Sequence, residues 1–157
     1  MNDTAFDPLV ADACAFFAEL SENNTRDWWL DNKPRYDRDL KGPATLLLDT
    51  MADTLNRVTG TSVKTKLFRP HRDVRFSKDK RPYNTHLHML WALPAGPAFF
   101  LGISPESLRA GAGRMGFDKD ELTAFRRAID TGGPLVDSIE TALSTGYEMN
   151  AAELKRV

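Results

Sequence analysis

The spacing of apolar residues changes twice along the chain, and this change constrains the fold more than any other feature. In the first third of the chain, apolar residues recur every three or four positions, as at Leu9, Ala13 and Phe16, which is typical of amphipathic helices. After Gly60 the apolar and polar residues alternate, which is typical of strands. Helical spacing returns at a capping box that begins with Asp118. The order of helices, strands and helices predicts an α+β domain.

Local signals indicate where the helices begin and end. Asp7 and Pro8 form a helix start, with a side-chain acceptor at the N-cap and proline in the first turn. Thr25 is the predicted cap of the second helix, in which Pro34 either kinks the helix or begins a new segment. Gly42-Pro43 predicts a break before the third helix. The predicted helices cover about residues 8–22, 25–41, 43–58, 118–129 and 134–143.

The alternating region predicts an antiparallel meander. Its predicted strands cover residues 63–68, 74–76, 85–93, 98–103 and 108–115. Turns are predicted at Pro94–Pro97 and Ser104–Ser107, where proline, glycine and serine cluster. Gly111 and Gly113 predict a bulge or a close backbone approach in the last strand. We expect one α+β domain over residues 1–157, with N-terminal helices, an antiparallel β-meander sheet, and C-terminal helices packed on the sheet.

Positive charge is concentrated between Lys64 and His88. This segment has eight basic and two acidic residues, a net charge of +6, whereas the whole chain has a net charge of −1. All three histidines, His71, His86 and His88, also lie there. Such a concentration favours an anionic partner.

Arginine offers paired donors that fit a carboxylate or a phosphate, and a loop of backbone amides with lysines also suits an anion. We therefore predict a pocket for a small anionic ligand around residues 69–86, with an aromatic wall from Trp28. The predicted ligand-binding residues are Arg26, Trp28, Arg69, Arg72, Arg75, Ser77, Lys78, Asp79, Lys80 and Tyr83. The alternative is a surface network in which the arginines pair with Asp73 and its neighbours.

His86 and His88 alternate, so on a strand they share one face. Two such histidines with a carboxylate could bind a metal, but no HExxH, CxxC or DxD set is present, and we predict no metal. A role for His86 as a general acid or base is favoured instead. Asp73 is its predicted orienting carboxylate, so these two residues are the catalytic candidates.

Other function classes find little support. No GxxxxGK[ST] loop is present, and Gly111-Ala112-Gly113 lacks the strand–helix context of a dinucleotide site, so no cofactor is predicted. Cys14 is alone, which excludes an internal disulfide and a zinc knuckle. No stretch of about 18 apolar residues is present, and the N-terminus lacks a signal-peptide pattern. We expect a cytoplasmic protein with no membrane partner.

Three stretches resemble a known family. They are Phe16–Leu20 with Asn23–Trp29, Phe68-Arg69 with Arg72–His86 (RDVRFSKDKRPYNTH), and Phe99–Gly113. They are similar to the FLxxLxxNNxRxWF start, the FRxxRDxRFSKDKxPYKxH signature and the glycine-ended strand segment of the domain of unknown function 2461 family. The signature is the most specific of the three, and the resemblance extends from about Phe16 to Lys155.

The resemblance implies a compact α+β domain in the cytoplasm, with no established activity, cofactor or partner. The signature positions are Arg26, Trp28, Arg69, Arg72, Asp73, Arg75, Phe76, Ser77, Lys78, Asp79, Lys80, Pro82, Tyr83 and His86. Gly111-Ala112-Gly113 replaces a fuller glycine run of the family. Family members usually continue past Val157 with a proline-, aspartate- and lysine-rich segment, so we expect part of the family domain to be missing here.

Three functions remain open at the level of sequence. The first is the pocket for a small phosphorylated or carboxylated ligand. The second is a nucleic-acid binding module, because basic and aromatic residues interleave from Arg69 to Tyr83, although a pI of about 6.3 is low for this class. The third is a structural or protein-interaction module in which the charges pair internally. The sequence decides neither whether the protein is an enzyme nor its oligomeric state.

Overall fold

A computed structural model of the chain describes residues 8–94, 96–114 and 116–147. The chain divides into two compact units, residues 1–115 and 116–157. Helices lie at both ends of the chain, with an antiparallel sheet between them. The predicted α+β class and the order of its elements are therefore confirmed.

The first unit begins with three helices. Helix α1 spans Leu9–Glu22, α2 spans Arg26–Arg35, and α3 spans Gly42–Thr59. The predicted cap at Thr25 is confirmed, because its hydroxyl accepts a hydrogen bond from the Trp28 N–H at 3.3 Å. The cap predicted for the first helix, Asp7, lies outside the described residues.

The predicted break at Gly42-Pro43 is wrong. Helical structure continues from α2 into α3 through a π-helix at Tyr36–Lys41. Pro34 lies inside α2, and the π-helix begins two residues after it. The Gly42 N–H donates to the Asp37 carbonyl, five residues back. A proline ring crowds the carbonyl four residues before it. For Pro43 this carbonyl belongs to Asp39, which lies inside the π-helix, and the wider π-helical turn accommodates the ring without ending the helix.

Four strands follow in a meander. Strand β1 spans Lys64–Leu67, β2 Leu87–Ala92, β3 Pro97–Ser104 and β4 Ser107–Arg114. Each pairs antiparallel with the next, in the order β1-β2-β3-β4. The predicted meander is thus confirmed for these four strands.

The predicted strand at residues 74–76 is wrong, because these residues form a turn. The Asp73 carboxylate accepts a hydrogen bond from the Arg75 N–H at 3.2 Å, and the Ser77 N–H donates to the Val74 carbonyl at 3.3 Å. These local bonds use the backbone donors that a strand ladder would need.

One face of the sheet forms the core with the helices. Leu87, Met89 and Trp91 are buried on this face of β2 and join the apolar cluster that contains Phe16 of α1. The Trp91 indole N–H donates to the Leu48 carbonyl of α3 at 2.9 Å. This bond satisfies a polar atom that burial would otherwise leave unpaired.

The second face of the sheet carries the alternate residues. In β2 these include His88 and Leu90, which are less buried than their neighbours. The strand register places His88 beside Gly102 of β3, and Gly102 beside Arg109 of β4. Gly111 lies beneath the Phe100 ring, where an added Cβ would meet the ring at 2.3 Å. The close approach predicted for the last strand is therefore made by a side chain.

The second unit contains two helices among its described residues. Helix α4 spans Lys119–Thr131 and α5 spans Pro134–Ser144. The predicted capping box is confirmed, because the Glu121 N–H donates to Asp118 at 2.8 Å and the Asp118 N–H donates to Glu121 at 3.0 Å. Within the described ranges, none of the helices is both long enough and apolar enough to cross a membrane.

Candidate functional site

Residues 69–84, here called the basic loop, form an irregular hairpin between β1 and β2. The Arg72 N–H donates to the Pro82 carbonyl at 2.9 Å, and the Asn84 N–H donates to the Pro70 carbonyl at 2.7 Å. His71 and Tyr83 pair as an isolated antiparallel bridge. The loop is therefore closed at its base by backbone hydrogen bonds.

The base of the loop is fixed to the helices through Tyr83. The Asn24 amide donates to the Tyr83 carbonyl at 2.9 Å, and its side-chain oxygen accepts from the Tyr83 N–H at 3.1 Å. The Tyr83 ring is only 5% exposed and stacks on Trp29 at a centroid distance of 4.5 Å. The predicted ligand-binding residue Tyr83 is thus a buried anchor of the loop.

The two aspartates of the loop are each paired with arginine. Asp79 accepts from Arg72 at 2.9 Å and from Arg81 at 2.8 Å, and Asp73 accepts from Arg75 at 2.6 Å. The side-chain hydrogen bonds from Arg81 hold the pKa of Asp79 well below its usual range, and those from Arg75 lower the pKa of Asp73. Both carboxylates therefore stay ionised and act as acceptors that order the loop.

Further bonds tie the loop to its own backbone. Lys80 donates to the Val74 carbonyl at 3.0 Å, and Ser77 is half-buried. Unlike the paired arginines and Lys80, the side chains of Arg69 and Lys78 form no hydrogen bond or ion pair with the rest of the described chain. These two cations remain available to an external anion.

A cavity of about 570 Å³ lies on the second face of the sheet. Its lining combines apolar side chains with a few polar ones, as is usual for small-molecule sites. The lining residues are Phe68, His86, His88, Met89, Leu90, Phe100, Leu101, Gly102, Ile103, Ser104, Glu106, Ser107 and Arg109. Of the residues predicted from sequence for the site, His86 belongs to this lining.

His86 and His88 form a stacked pair on the wall of the cavity. Their ring centroids are 3.9 Å apart with an interplanar angle of 23°. Burial lowers the pKa of His86, with a further lowering from the charge of His88, and burial also lowers the pKa of His88. A second proton on such a pair is opposed by both desolvation and repulsion. The pair is therefore neutral near pH 7 and can accept a proton.

Gly102 lets the histidine pair sit against the sheet. A Cβ at Gly102 would lie 3.0 Å from Cδ2 and 3.1 Å from Nε2 of His88. The edge of the Phe68 ring also approaches His88, at 6.3 Å between centroids. The ring of His88 thus lies between Gly102 of β3, which has no side chain, and the ring of Phe68.

Arg109 lies beyond Gly102 in the same cross-strand row. Its side chain forms no hydrogen bond or ion pair that involves another described residue. The turn between β3 and β4 adds polar groups, because the Ser104 hydroxyl donates to Glu106 at 3.0 Å and lies 3.1 Å from the Ser107 hydroxyl. The cavity therefore contains one cation, one carboxylate and two neutral imidazoles.

The remaining predicted site residues lie elsewhere. Arg26 is exposed at the start of α2, and Trp28 is half-buried against Phe16 at 5.4 Å between ring centroids. The hydrogen bonds of Asp73 go to Arg75, and none joins Asp73 to His86 in the described structure. The two catalytic candidates are therefore not linked to each other directly.

The turn at Ser104–Ser107 was predicted from the sequence, but its place in the cavity was not, and Arg109 was missed as a site residue. Arg109 lies in a glycine-rich strand, and only the strand register brings it beside Gly102, on whose other side His88 lies. The alternation of side chains on β4 was the available signal. In residues 8–94, 96–114 and 116–147, no three histidine, cysteine or acidic side chains converge so as to hold a metal ion.

Comparison with protein families identifies the family of the chain. The model of the family described as conserved hypothetical protein (DUF2461) matches residues 12–157. The chain belongs to this family. Curated proteins and solved structures gave no match. The basic loop of this DUF2461 member contains the RFSKDK segment on which the resemblance chiefly depends, and the second-face cavity begins directly after the loop at His86.

Proposed function

We propose that the protein binds a small ligand with a phosphate or carboxylate group in the cavity on the second face of the sheet. The observation that carries this proposal is the row of His88, Gly102 and Arg109 on the wall of a largely apolar cavity. In this row Gly102, which has no side chain, lies between Arg109, whose guanidinium is unpaired in the described structure, and His88, which stacks on His86. A ligand can therefore reach both groups from one position.

The chemistry of the lining suits an amphipathic anion. The Arg109 guanidinium offers two parallel donors to a phosphate or carboxylate. Leu90 and Phe100 provide apolar surface for the rest of the ligand,. Arg69 and Lys78 of the basic loop raise the local positive potential, which increases the encounter rate of anions. We therefore expect the main contact at Arg109 and an assisting role for the loop.

Within this proposal His86 remains the candidate general acid or base. Its lowered pKa keeps the ring neutral, and a neutral imidazole can accept a proton from a bound ligand,. His88 stacks on this ring, and its charge further lowers the pKa of His86. Asp73 orders the loop through Arg75, so we assign it a positioning role for the loop and no direct contact with the ligand.

A second candidate function is a structural or protein-interaction module. The observation that favours it is the pairing of Asp79 with Arg72 and Arg81, and of Asp73 with Arg75. Five charged side chains of the loop, three arginines and two aspartates, thus pair with one another. Under this reading, Arg72→Ala lowers stability and no small anion binds.

A thermal-shift screen tests the first proposal. The full chain is melted with nucleotides, sugar phosphates and aromatic carboxylates, because a ligand that binds the native state raises the melting temperature. The same screen is run on Arg109→Ala and on Arg126→Ala, an exposed arginine of α4 that serves as the matched control. Arg75→Ala distinguishes the cavity from the basic loop.

The proposal expects a hit that Arg109→Ala removes and Arg126→Ala retains. A hit that only Arg75→Ala removes would transfer the site from the cavity to the basic loop. The absence of any hit, with Arg72→Ala melting earlier than the parent chain, would favour the structural module.

A further inference from the structure

Phe76 is the most exposed large apolar side chain of the described residues, at 96% exposure. It lies in the turn at the tip of the basic loop, where the Ser77 N–H donates to the Val74 carbonyl. An exposed phenylalanine in an ordered turn keeps an unfavourable apolar surface in water. This cost suggests that the ring is covered when the loop meets a partner.

The turn that presents Phe76 is held from both sides. Asp73 accepts from the backbone N–H and the side chain of Arg75, and Lys80 donates to the carbonyls of Val74 and Arg75 at 3.0 and 3.5 Å. The ring is thus offered by a preorganised segment, which lowers the entropy that binding must remove.

The segment around the ring carries a net positive charge. The Arg75 guanidinium is 5.9 Å from the ring centroid, and its side chain is 77% exposed. Residues 69–81 have six basic and two acidic side chains. Both acidic groups, Asp73 and Asp79, are already paired with arginines. An approaching anionic chain therefore meets a net positive surface with few free carboxylates to repel it.

We propose that the tip of the basic loop, residues 75–78, binds single-stranded nucleic acid by stacking one base on Phe76 and contacting an adjacent phosphate with Lys78. Single-strand sites combine aromatic rings that accept any base with cations that follow the backbone. The tip offers one ring and, two residues after it, the cation of Lys78. This site is separate from the second-face cavity and does not depend on the function proposed for that cavity.

The isolation of Phe76 favours nucleic acid over a protein surface or a membrane as the partner. A protein interface of ordinary size needs an apolar centre within about 800 Å² for each partner, and an interfacial membrane segment needs a continuous apolar face. Val74 beside it in the turn is half-buried, and its other sequence neighbours are polar. A single ring among cations is sufficient for a base and insufficient for either of these surfaces.

Fluorescence anisotropy with a labelled oligothymidine of about 12 nucleotides tests the proposal. The full chain is compared with Phe76→Ala, Phe76→Tyr and Lys78→Ala, and with the control Val58→Ala, which truncates another apolar side chain that is 79% exposed. Thermal melting of each variant verifies that it is folded. Anionic and neutral lipid vesicles are titrated in parallel.

We expect Phe76→Ala to weaken binding about 5- to 150-fold, the range of one lost base stack, with Phe76→Tyr and Val58→Ala close to the parent chain. Lys78→Ala should reduce the salt dependence by one phosphate contact, a change of about 0.7 in the logarithmic slope. Three results would overturn the proposal: no oligonucleotide binding, equal binding by Phe76→Ala, or binding to anionic vesicles without binding to the oligonucleotide.

Discussion

Replacing Asn24 by alanine should release the basic loop from the helices. The Asn24 side chain makes two hydrogen bonds to the backbone of Tyr83, at 2.9 and 3.1 Å. Truncation leaves a donor and an acceptor of Tyr83 without partners, beside a ring that is stacked on Trp29. Both backbone groups are partly buried, so water replaces the lost amide incompletely.

The expected loss follows from the two bonds. A hydrogen bond contributes about 0.5–1.5 kcal/mol net, so Asn24→Ala should cost about 1–3 kcal/mol. For a chain of this size, about 2 kcal/mol lowers the melting temperature by about 4–8 °C. Asn24→Asp keeps the acceptor and loses the donor, so it should fall between the parent chain and Asn24→Ala.

Urea unfolding followed by tryptophan fluorescence suits this test, because Trp28, Trp29 and Trp91 all lie in the first unit. Asn23→Ala is the matched control, since the Asn23 amide makes one exposed bond to a carbonyl of its own helix. A cost for Asn24→Ala no larger than that for Asn23→Ala would refute the anchoring role of these two bonds.

Three further predictions concern the core, the loop and the cavity. Trp91→Phe leaves the buried Leu48 carbonyl without its indole donor and should cost about 1–3 kcal/mol; a smaller loss in urea unfolding followed by circular dichroism would contradict this. Because the pKa of Asp79 is lowered in the folded protein, its carboxylate should stabilise the fold above its ordinary value of 3.8 and lose that effect as the pH falls through the lower native value,. The stability difference between the parent chain and Asp79→Asn should therefore shrink in acid, and a difference constant with pH would oppose the pairing. Gly102→Ala should displace the His88 ring and raise its pKa toward 6.5, whereas an unchanged pKa in an NMR titration would contradict the contact.

Local sequence signals predicted most of the fold. The strand predicted at residues 98–103 is Pro97–Ser104 in the structure, and the helix predicted at 134–143 is Pro134–Ser144. These elements have strong periodicity and turn residues at both ends. The errors lie where a longer-range or less common interaction determines the local structure. At Gly42-Pro43, for example, a π-helix accommodates the proline.

The site was less predictable than the fold, because its geometry depends on pairing between strands. The histidines were visible as an alternating pair in the sequence, but the sequence did not show that their rings stack. The placement of His88 in one cross-strand row with Gly102 and Arg109 depends on the register of three strands. The pocket was predicted from the high density of charged residues in the basic loop. Its aspartates instead pair with arginines inside the loop, an arrangement that composition alone does not distinguish from a free anion site.

The most direct measurement for the central claim is a titration of the isotope-labelled full chain with phenyl phosphate, followed by two-dimensional NMR. Phenyl phosphate combines an anionic group with an apolar ring, as the cavity lining requires. The account predicts saturable shifts at His86, His88, Gly102 and Arg109, and their loss in Arg109→Ala. Shifts confined to the basic loop, or the same shifts in Arg109→Ala, would contradict it.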